Sequence, residues 1–149
     1  MHILLLLSLR QTNAQIVNTE AYKLKIQKGS IVKKGSQSFW EIPTTFTNLS
    51  KDTLKYFSMA CSWQDIYLVD NERLYIMKNI CDKNFPVILK LAPNKSNTVV
   101  LTLLIDQPMD TSQRNFRIGL NLIPANKPRL EFNPKELLYK NNVIWSNVR

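Results

Sequence analysis

Histidine is almost missing from this chain of 149 residues, and the one histidine present is His2. It lies within residues 1–14, which have the pattern of an export signal that is removed from the mature protein. The remaining domain, residues 15–149, then has no histidine. It therefore lacks the residues for a Ser-His-Asp or Cys-His catalytic site and the histidine ligands of most catalytic zinc centres. We predict that the protein is not an enzyme, with no catalytic residues, cofactor or metal.

The export signal is predicted from an apolar run over residues 3–9 that is followed by small residues. Thr12 and Ala14 stand at the −3 and −1 positions of a cleavage site before Gln15. A basic segment before the apolar run, which such signals usually have, is missing. No cysteine follows the run, so we expect no lipid attachment at a new N-terminal cysteine. These features predict a secreted or periplasmic protein.

Long apolar runs are also missing. A membrane-spanning helix needs about 20 consecutive apolar residues, and the run over residues 3–9 is too short. We therefore predict no transmembrane segment. Only 3 glycines and 7 prolines occur, which excludes a collagen-like or low-complexity chain, and 44% of the residues are hydrophobic. The length and composition predict one globular domain over residues 15–149.

Cysteine occurs only twice, at Cys61 and Cys81. Two cysteines cannot complete a structural zinc site alone, and in an exported protein they favour a disulfide. The closed loop would stabilise the fold by about 3 kcal/mol on the chain-entropy model. Two buried free thiols are the alternative.

Apolar residues recur at period two in segment after segment, which is typical of β-strands. Pro43 has no N–H to donate and predicts an edge strand or a bulge at its position. A short helical turn is predicted at 134–136. The pattern predicts an all-β, antiparallel sandwich of seven to nine strands. The main predicted strands are 20–27, 39–48, 54–63, 74–77, 86–91, 98–105, 116–122 and 137–145.

The stretch Leu54–Cys81 contains both cysteines and a polar turn at Asp70-Asn71-Glu72. Apolar segments precede and follow this turn. We interpret the stretch as two strands paired with each other and fixed by a Cys61–Cys81 bridge.

Two strand–turn–strand segments resemble the immunoglobulin-like or fibronectin-type sandwiches of exported bacterial proteins. The first is Phe46-Thr47-Asn48-Leu49-Ser50 running into Asp52-Thr53-Leu54, and the second is Leu91-Ala92-Pro93-Asn94-Lys95-Ser96 before Thr98-Val99-Val100-Leu101. The resemblance covers residues 39–123 and implies two packed antiparallel sheets. It departs from immunoglobulin domains in its cysteines, which are too close in sequence to link two sheets around a core tryptophan. Fold analogy alone does not carry function.

Acidic residues concentrate near the cysteines, where Trp63, Asp65, Asp70 and Glu72 form a candidate binding loop. Together with Asp82, these carboxylates offer two alternatives: a Ca²⁺ site or a glycosidase pair facing a sugar. The spacing of Asp65 and Asp70 does not match a calcium loop. Turns of hairpins collect Asp and Asn in any case, so we favour neither alternative.

The chain carries a formal net charge of +9, and Lys23, Lys25, Lys28, Lys33 and Lys34 cluster near its start. They form either a patch for an acidic polymer, such as nucleic acid, surface glycan or lipid headgroups, or a solvated strand edge whose lysines prevent aggregation, and we favour the solvated edge. The segment 28–38 has no aromatic residue for base stacking, so we predict no nucleic-acid partner.

Trp63 and Trp145 follow alternating apolar segments and are predicted to lie in the core. If exposed, either one could stack on a sugar or anchor a partner. Two segments, Asn48-Leu49-Ser50 and Asn94-Lys95-Ser96, match the acceptor pattern for N-glycosylation.

Together these patterns predict an exported, non-catalytic β-sandwich with a binding or interaction role at the cell envelope. The partner is an unknown protein or glycan, contacted by strand edges or by the loop over Asp65–Glu72. The alternatives are a carbohydrate-binding module and a loop-based inhibitor of an extracellular enzyme.

Overall fold

A computed structural model describes residues 18–106, 115–125, 132, 134–138 and 140–149. The predicted export signal, residues 1–14, lies outside this part. The described chain is all-β, with ten strands and three short 3₁₀ helices, Thr19–Ala21, Trp63–Ile66 and Pro134–Leu137. None of its helices has the length and apolar character needed to cross a membrane. The strands are β1 Tyr22–Ile26, β2 Ser30–Lys34, β3 Gln37–Asn48, β4 Leu54–Met59, β5 Tyr67–Val69, β6 Leu74–Ile76, β7 Pro86–Leu91, β8 Ser96–Ile105, β9 Ile118–Asn121 and β10 Val143–Trp145.

The first layer is a five-stranded antiparallel sheet built around β3. One side of β3 pairs with β8 from Ser38↔Ile105 to Thr47↔Ser96. The other side pairs with β2 along its first part and with β1 along its last part. Strand β6 pairs with β8 and completes the layer. Strand β8 therefore lies inside the layer, between β3 and β6.

Pro43 does not mark an edge strand, so that alternative is wrong, and the register of β3 with β8 continues through Pro43 without a bulge. It lies in the middle of β3, opposite Val100 of β8. Its carbonyl accepts a hydrogen bond from the N–H of Gln27 at 2.9 Å, where the chain passes from β1 to β2. The nitrogen and carbonyl of a residue face the same side of a strand. The missing N–H of Pro43 therefore faces the gap between the two shorter strands, where no ladder bond is lost.

The second layer contains a three-stranded sheet of order β10-β9-β5 and the pair β4-β7. Main-chain hydrogen bonds join the two groups: Phe57 N–H donates to the carbonyl of Ile123 at 2.8 Å, and Ala125 N–H donates to that of Lys55 at 2.9 Å. The residues that follow β9 thus continue it alongside β4.

One hydrophobic cluster lies between the layers and draws residues from both. The rings of Trp40 and Phe116 meet edge to face at 5.1 Å, and those of Phe46 and Tyr56 at 5.9 Å. The apolar side chains of β9 are buried in this cluster, with Ile118 and Leu120 at 0% exposure. The arrangement is sandwich-like, as the period-two pattern predicts.

Asn48, at the end of β3, is a polar junction inside this core, with 0% exposure. Its amide nitrogen donates to the carbonyls of Asp52 at 2.8 Å and Leu91 at 2.9 Å. Its amide oxygen accepts from the N–H and the hydroxyl of Ser50 at 3.0 and 2.7 Å. Asn48 therefore fastens the first layer to the turn before β4 and to the end of β7. The amide that matches a glycosylation acceptor is buried and fully engaged.

The predicted pairing within Leu54–Cys81 is wrong. Strand β4 pairs with β7, and β6 pairs with β8 in the other layer. The reason is that Trp63–Ile66 forms a 3₁₀ helix and β5 then pairs with β9, so the chain changes layer before β6 begins. Within the described residues the strand number is ten, above the predicted seven to nine. The last strand is β10 alone, because the segment at Pro134–Leu137 is helical, as the predicted turn there implies.

Candidate functional site

The predicted Cys61–Cys81 disulfide is present, with a Cα–Cα distance of 6.3 Å. It lies at the end of the β4–β7 pair, where Ala60 N–H donates to the carbonyl of Phe85 at 2.8 Å. The bridge links the end of β4 to residues 77–85, the segment between β6 and β7, which we call the disulfide loop. A disulfide is compatible with an extracellular location.

Asp65 does not project from a binding loop. It contacts the disulfide loop through Lys78. Its carboxylate pairs with the Lys78 ammonium at 2.7 Å and accepts a hydrogen bond from the Ser62 hydroxyl. Partial burial acts to raise the pKa of Asp65. The hydrogen bonds from Lys78 and Ser62 and the charge of Lys78 outweigh burial, and the pKa of Asp65 is lowered.

Two asparagines, one on each side of Cys81, also hold the disulfide loop by hydrogen bonds to Cys61 and Ser62. The amide oxygen of Asn84 accepts from the N–H groups of Cys61 at 3.2 Å and Ser62 at 3.3 Å, and its nitrogen donates to the Ser62 hydroxyl at 2.5 Å. The amide nitrogen of Asn79 donates to the Cys61 carbonyl at 3.1 Å. Lys78, Asn79 and Asn84 therefore all contact residues 61–65, at the start of the Trp63–Ile66 helix.

Three apolar side chains of the disulfide loop are exposed to solvent. Ile80, between Asn79 and Cys81, has a relative exposure of 102%. Phe85 is 58% exposed and Met77 41%. Sequence reasoning missed Ile80, because one aliphatic residue in the polar segment Asn79–Asn84 has no periodicity to interpret. Its position beside a cysteine was the available signal.

The other residues of the predicted binding loop have different surroundings and do not form one site. Trp63 is half-buried against the core, where its ring meets Tyr67 edge to face at 5.9 Å. Asp70 accepts from the main-chain N–H of Arg117 at 2.6 Å and from its Nε at 2.8 Å. Glu72 is exposed. Asp65 and Asp70 thus form ion pairs with different basic side chains, Lys78 and Arg117. No group of three or more His, Cys, Asp or Glu side chains suited to a metal ion occurs in the described residues.

No family model matches the chain, and the comparisons with curated proteins and with solved structures give no significant match. The immunoglobulin-like resemblance therefore stays a prediction.

Trp145 is not a core residue, which corrects the prediction. It is 38% exposed and lies at the edge of the second layer, in β10. The Arg117 guanidinium lies 5.0 Å from the centre of its ring. An open groove of about 430 Å³ separates this residue from β1, and Lys23 and Lys25 line its opposite wall. The predicted alternation of β1 is confirmed, since Leu24 and Ile26 are buried between these exposed lysines.

Proposed function

We propose that the protein is an exported, non-catalytic binding protein that recognises a protein partner at the cell envelope through the disulfide loop. One observation carries the proposal: Ile80 is fully exposed on a segment that is fastened on both sides. The proposal includes removal of residues 1–14 and a two-layer fold of immunoglobulin-like type. It includes no cofactor, metal or nucleic acid.

Fastening matters because binding costs free energy when a loop must first be ordered. Here Lys78 and Asn79 hold the segment before Ile80, and the disulfide and Asn84 hold the segment after it. The aliphatic side chain is thus presented without further ordering. Exposed apolar side chains on a rigid support are typical anchors of protein interfaces, where they fill a pocket of the partner.

The experiment compares affinity purification from the native envelope by the wild-type protein, Ile80→Asp and Leu138→Asp. Leu138 is the matched control, because it is also strongly exposed, at 76%, but lies outside the disulfide loop. The recovered partner is then purified and its affinity for each variant is measured by calorimetry. We expect Ile80→Asp to bind about 30-fold more weakly, which corresponds to the loss of one interface hot spot.

Leu138→Asp should bind like the wild type, and circular dichroism should show all three proteins folded. Equal binding by both variants would refute the proposal. The inhibitor alternative is tested in the same series, since a recovered extracellular protease would be inhibited by the wild type and not by Ile80→Asp.

A second candidate is a carbohydrate-binding module. It is favoured by the exposure of Trp145, the aromatic residue on which a sugar ring would stack.

A further inference from the structure

We infer that the groove between β1 and β10 binds an acidic oligosaccharide, with its sugar ring on Trp145 and its carboxylates beside Lys23 and Lys25. This deepens the carbohydrate-binding candidate and is independent of the role proposed for Ile80.

The indole of Trp145 is held in a fixed place. Trp145 is opposite Gly119 in the β10–β9 pair, and ring atoms Cε3 and Cζ3 lie 3.0 Å from where a Cβ of residue 119 would be. A Cβ at residue 119 would crowd the indole and would also lie 2.6 Å from Cγ1 of Val143, so glycine lets Trp145 lie close to β9. The Arg117 guanidinium lies over the ring, 5.0 Å from its centre, and is itself anchored to Asp70 at 2.8 Å. A ligand that stacks on this ring therefore has no aromatic side chain to order first.

The facing wall of the groove is positively charged. Lys23 and Lys25 stand on the outer side of β1, about 7 Å apart along the strand at two residues' rise. Neither has a carboxylate partner in the described residues, and no acidic residue lines the groove. Lysines on an edge strand also discourage aggregation. That role does not account for an exposed indole opposite them.

Three uncharged polar side chains line the groove, Tyr22, Ser146 and Asn147, and the last two are already engaged. Asn147 Oδ1 accepts from the N–H of Ile26 at 3.0 Å. The Ser146 hydroxyl accepts from the N–H of Ile118 at 3.0 Å and donates to the carbonyl of Asn147 at 2.8 Å. The Tyr22 hydroxyl and the two lysine ammonium groups are left to provide polar recognition, and the two positive charges favour an anionic sugar over a neutral one. A nucleic-acid strand fits less well, because such sites stack successive bases on several aromatic rings.

The experiment measures binding of tetragalacturonate by calorimetry. The comparison ligands are a neutral galacto-oligosaccharide of the same length and an oligothymidylate of the same charge. We expect the wild type to bind the acidic sugar at least about tenfold more tightly than either. Affinity should fall as salt is raised, because the lysines are exposed and their charges are screened.

The decisive variants are Lys23→Ala/Lys25→Ala and Trp145→Ala, each expected to weaken binding of the acidic sugar about tenfold or more. The matched control, Lys33→Ala/Lys51→Ala, removes the same charge elsewhere and should bind within about twofold of the wild type. The lysine pair lies on the surface, so its result does not depend on whether Trp145→Ala folds.

Three outcomes would overturn the inference: no binding by the wild type, equal binding of oligothymidylate, or equal losses in the two lysine pairs. Ile80→Asp should leave sugar binding unchanged. Failure of the sugar site and failure of the protein-recognition proposal are therefore separate results.

Discussion

Replacing Asn48 by alanine should lower the free energy of unfolding by about 3 kcal/mol. The side chain makes four hydrogen bonds, to the carbonyls of Asp52 and Leu91 and from two groups of Ser50. Water can replace the partners near the surface, at Ser50 and Asp52. The buried carbonyl at Leu91 keeps its full desolvation penalty, because Leu91 is only 7% exposed.

A second substitution at the same position separates lost hydrogen bonds from lost volume. Asn48→Asp keeps the shape of the side chain but turns oxygen atoms towards the carbonyls of Asp52 and Leu91. We expect it to be at least as destabilising as Asn48→Ala at neutral pH, since a buried charge without a donor is costly.

Urea denaturation followed by circular dichroism measures both effects, and the melting temperature of Asn48→Ala should fall by roughly 10 °C. Asn79→Ala is the control: it removes one exposed hydrogen bond, to Cys61 at 3.1 Å, and should cost no more than about 1 kcal/mol. A loss below about 1 kcal/mol for Asn48→Ala, or a milder effect of Asn48→Asp, would refute the reasoning.

Two further outcomes follow from the disulfide loop. Cys61→Ser/Cys81→Ser should lower the unfolding free energy by about 3 kcal/mol, and the reduced wild type should match it in the same urea titration; an unchanged midpoint would contradict the predicted effect of loop closure. Because the pKa of Asp65 is lowered in the folded state, its contribution to stability is present above the ordinary carboxyl pKa and is lost as pH falls through the lower, folded pKa. The unfolding free energy should therefore decline on acidification below about pH 4, and Asp65→Asn should flatten that decline. The exposed Asp82 serves as control, and an identical acid profile for Asp65→Asn and Asp82→Asn would count against the role assigned to Asp65.

The sequence predicts strands well where one face is wet and the other buried. In β1, exposed lysines alternate with the buried Leu24 and Ile26. Strand β9 is buried on both faces, including Asn121, so alternation there does not distinguish the faces. The sequence does not predict which strands pair with each other, because period two is a local property of the chain. The segment from β4 to β6 looks like a hairpin in sequence, yet a 3₁₀ helix and β5 carry it across the core between those strands.

The candidate site was predictable only in part, for the same reason. The predicted export and the cysteine count were enough to predict the bridge between Cys61 and Cys81. The roles of the acidic residues depend on cations distant in sequence: Asp70 meets Arg117, which is 47 positions away. The exposure of Ile80 and Trp145 depends on what the rest of the chain leaves uncovered, and alternation alone does not report that.

Strand β3 has a consequence for the rate of folding. Its contact with β2 needs only a tight turn at Gly35, where φ is +62°, so this hairpin can form within microseconds. Its longer ladder, with β8, must wait until residues about fifty positions downstream have found it, and such distant pairings make folding slow. A nascent chain that ends before Ser96 leaves one hydrogen-bonding edge of β3 unpaired, and such an edge is a template for pairing with another chain.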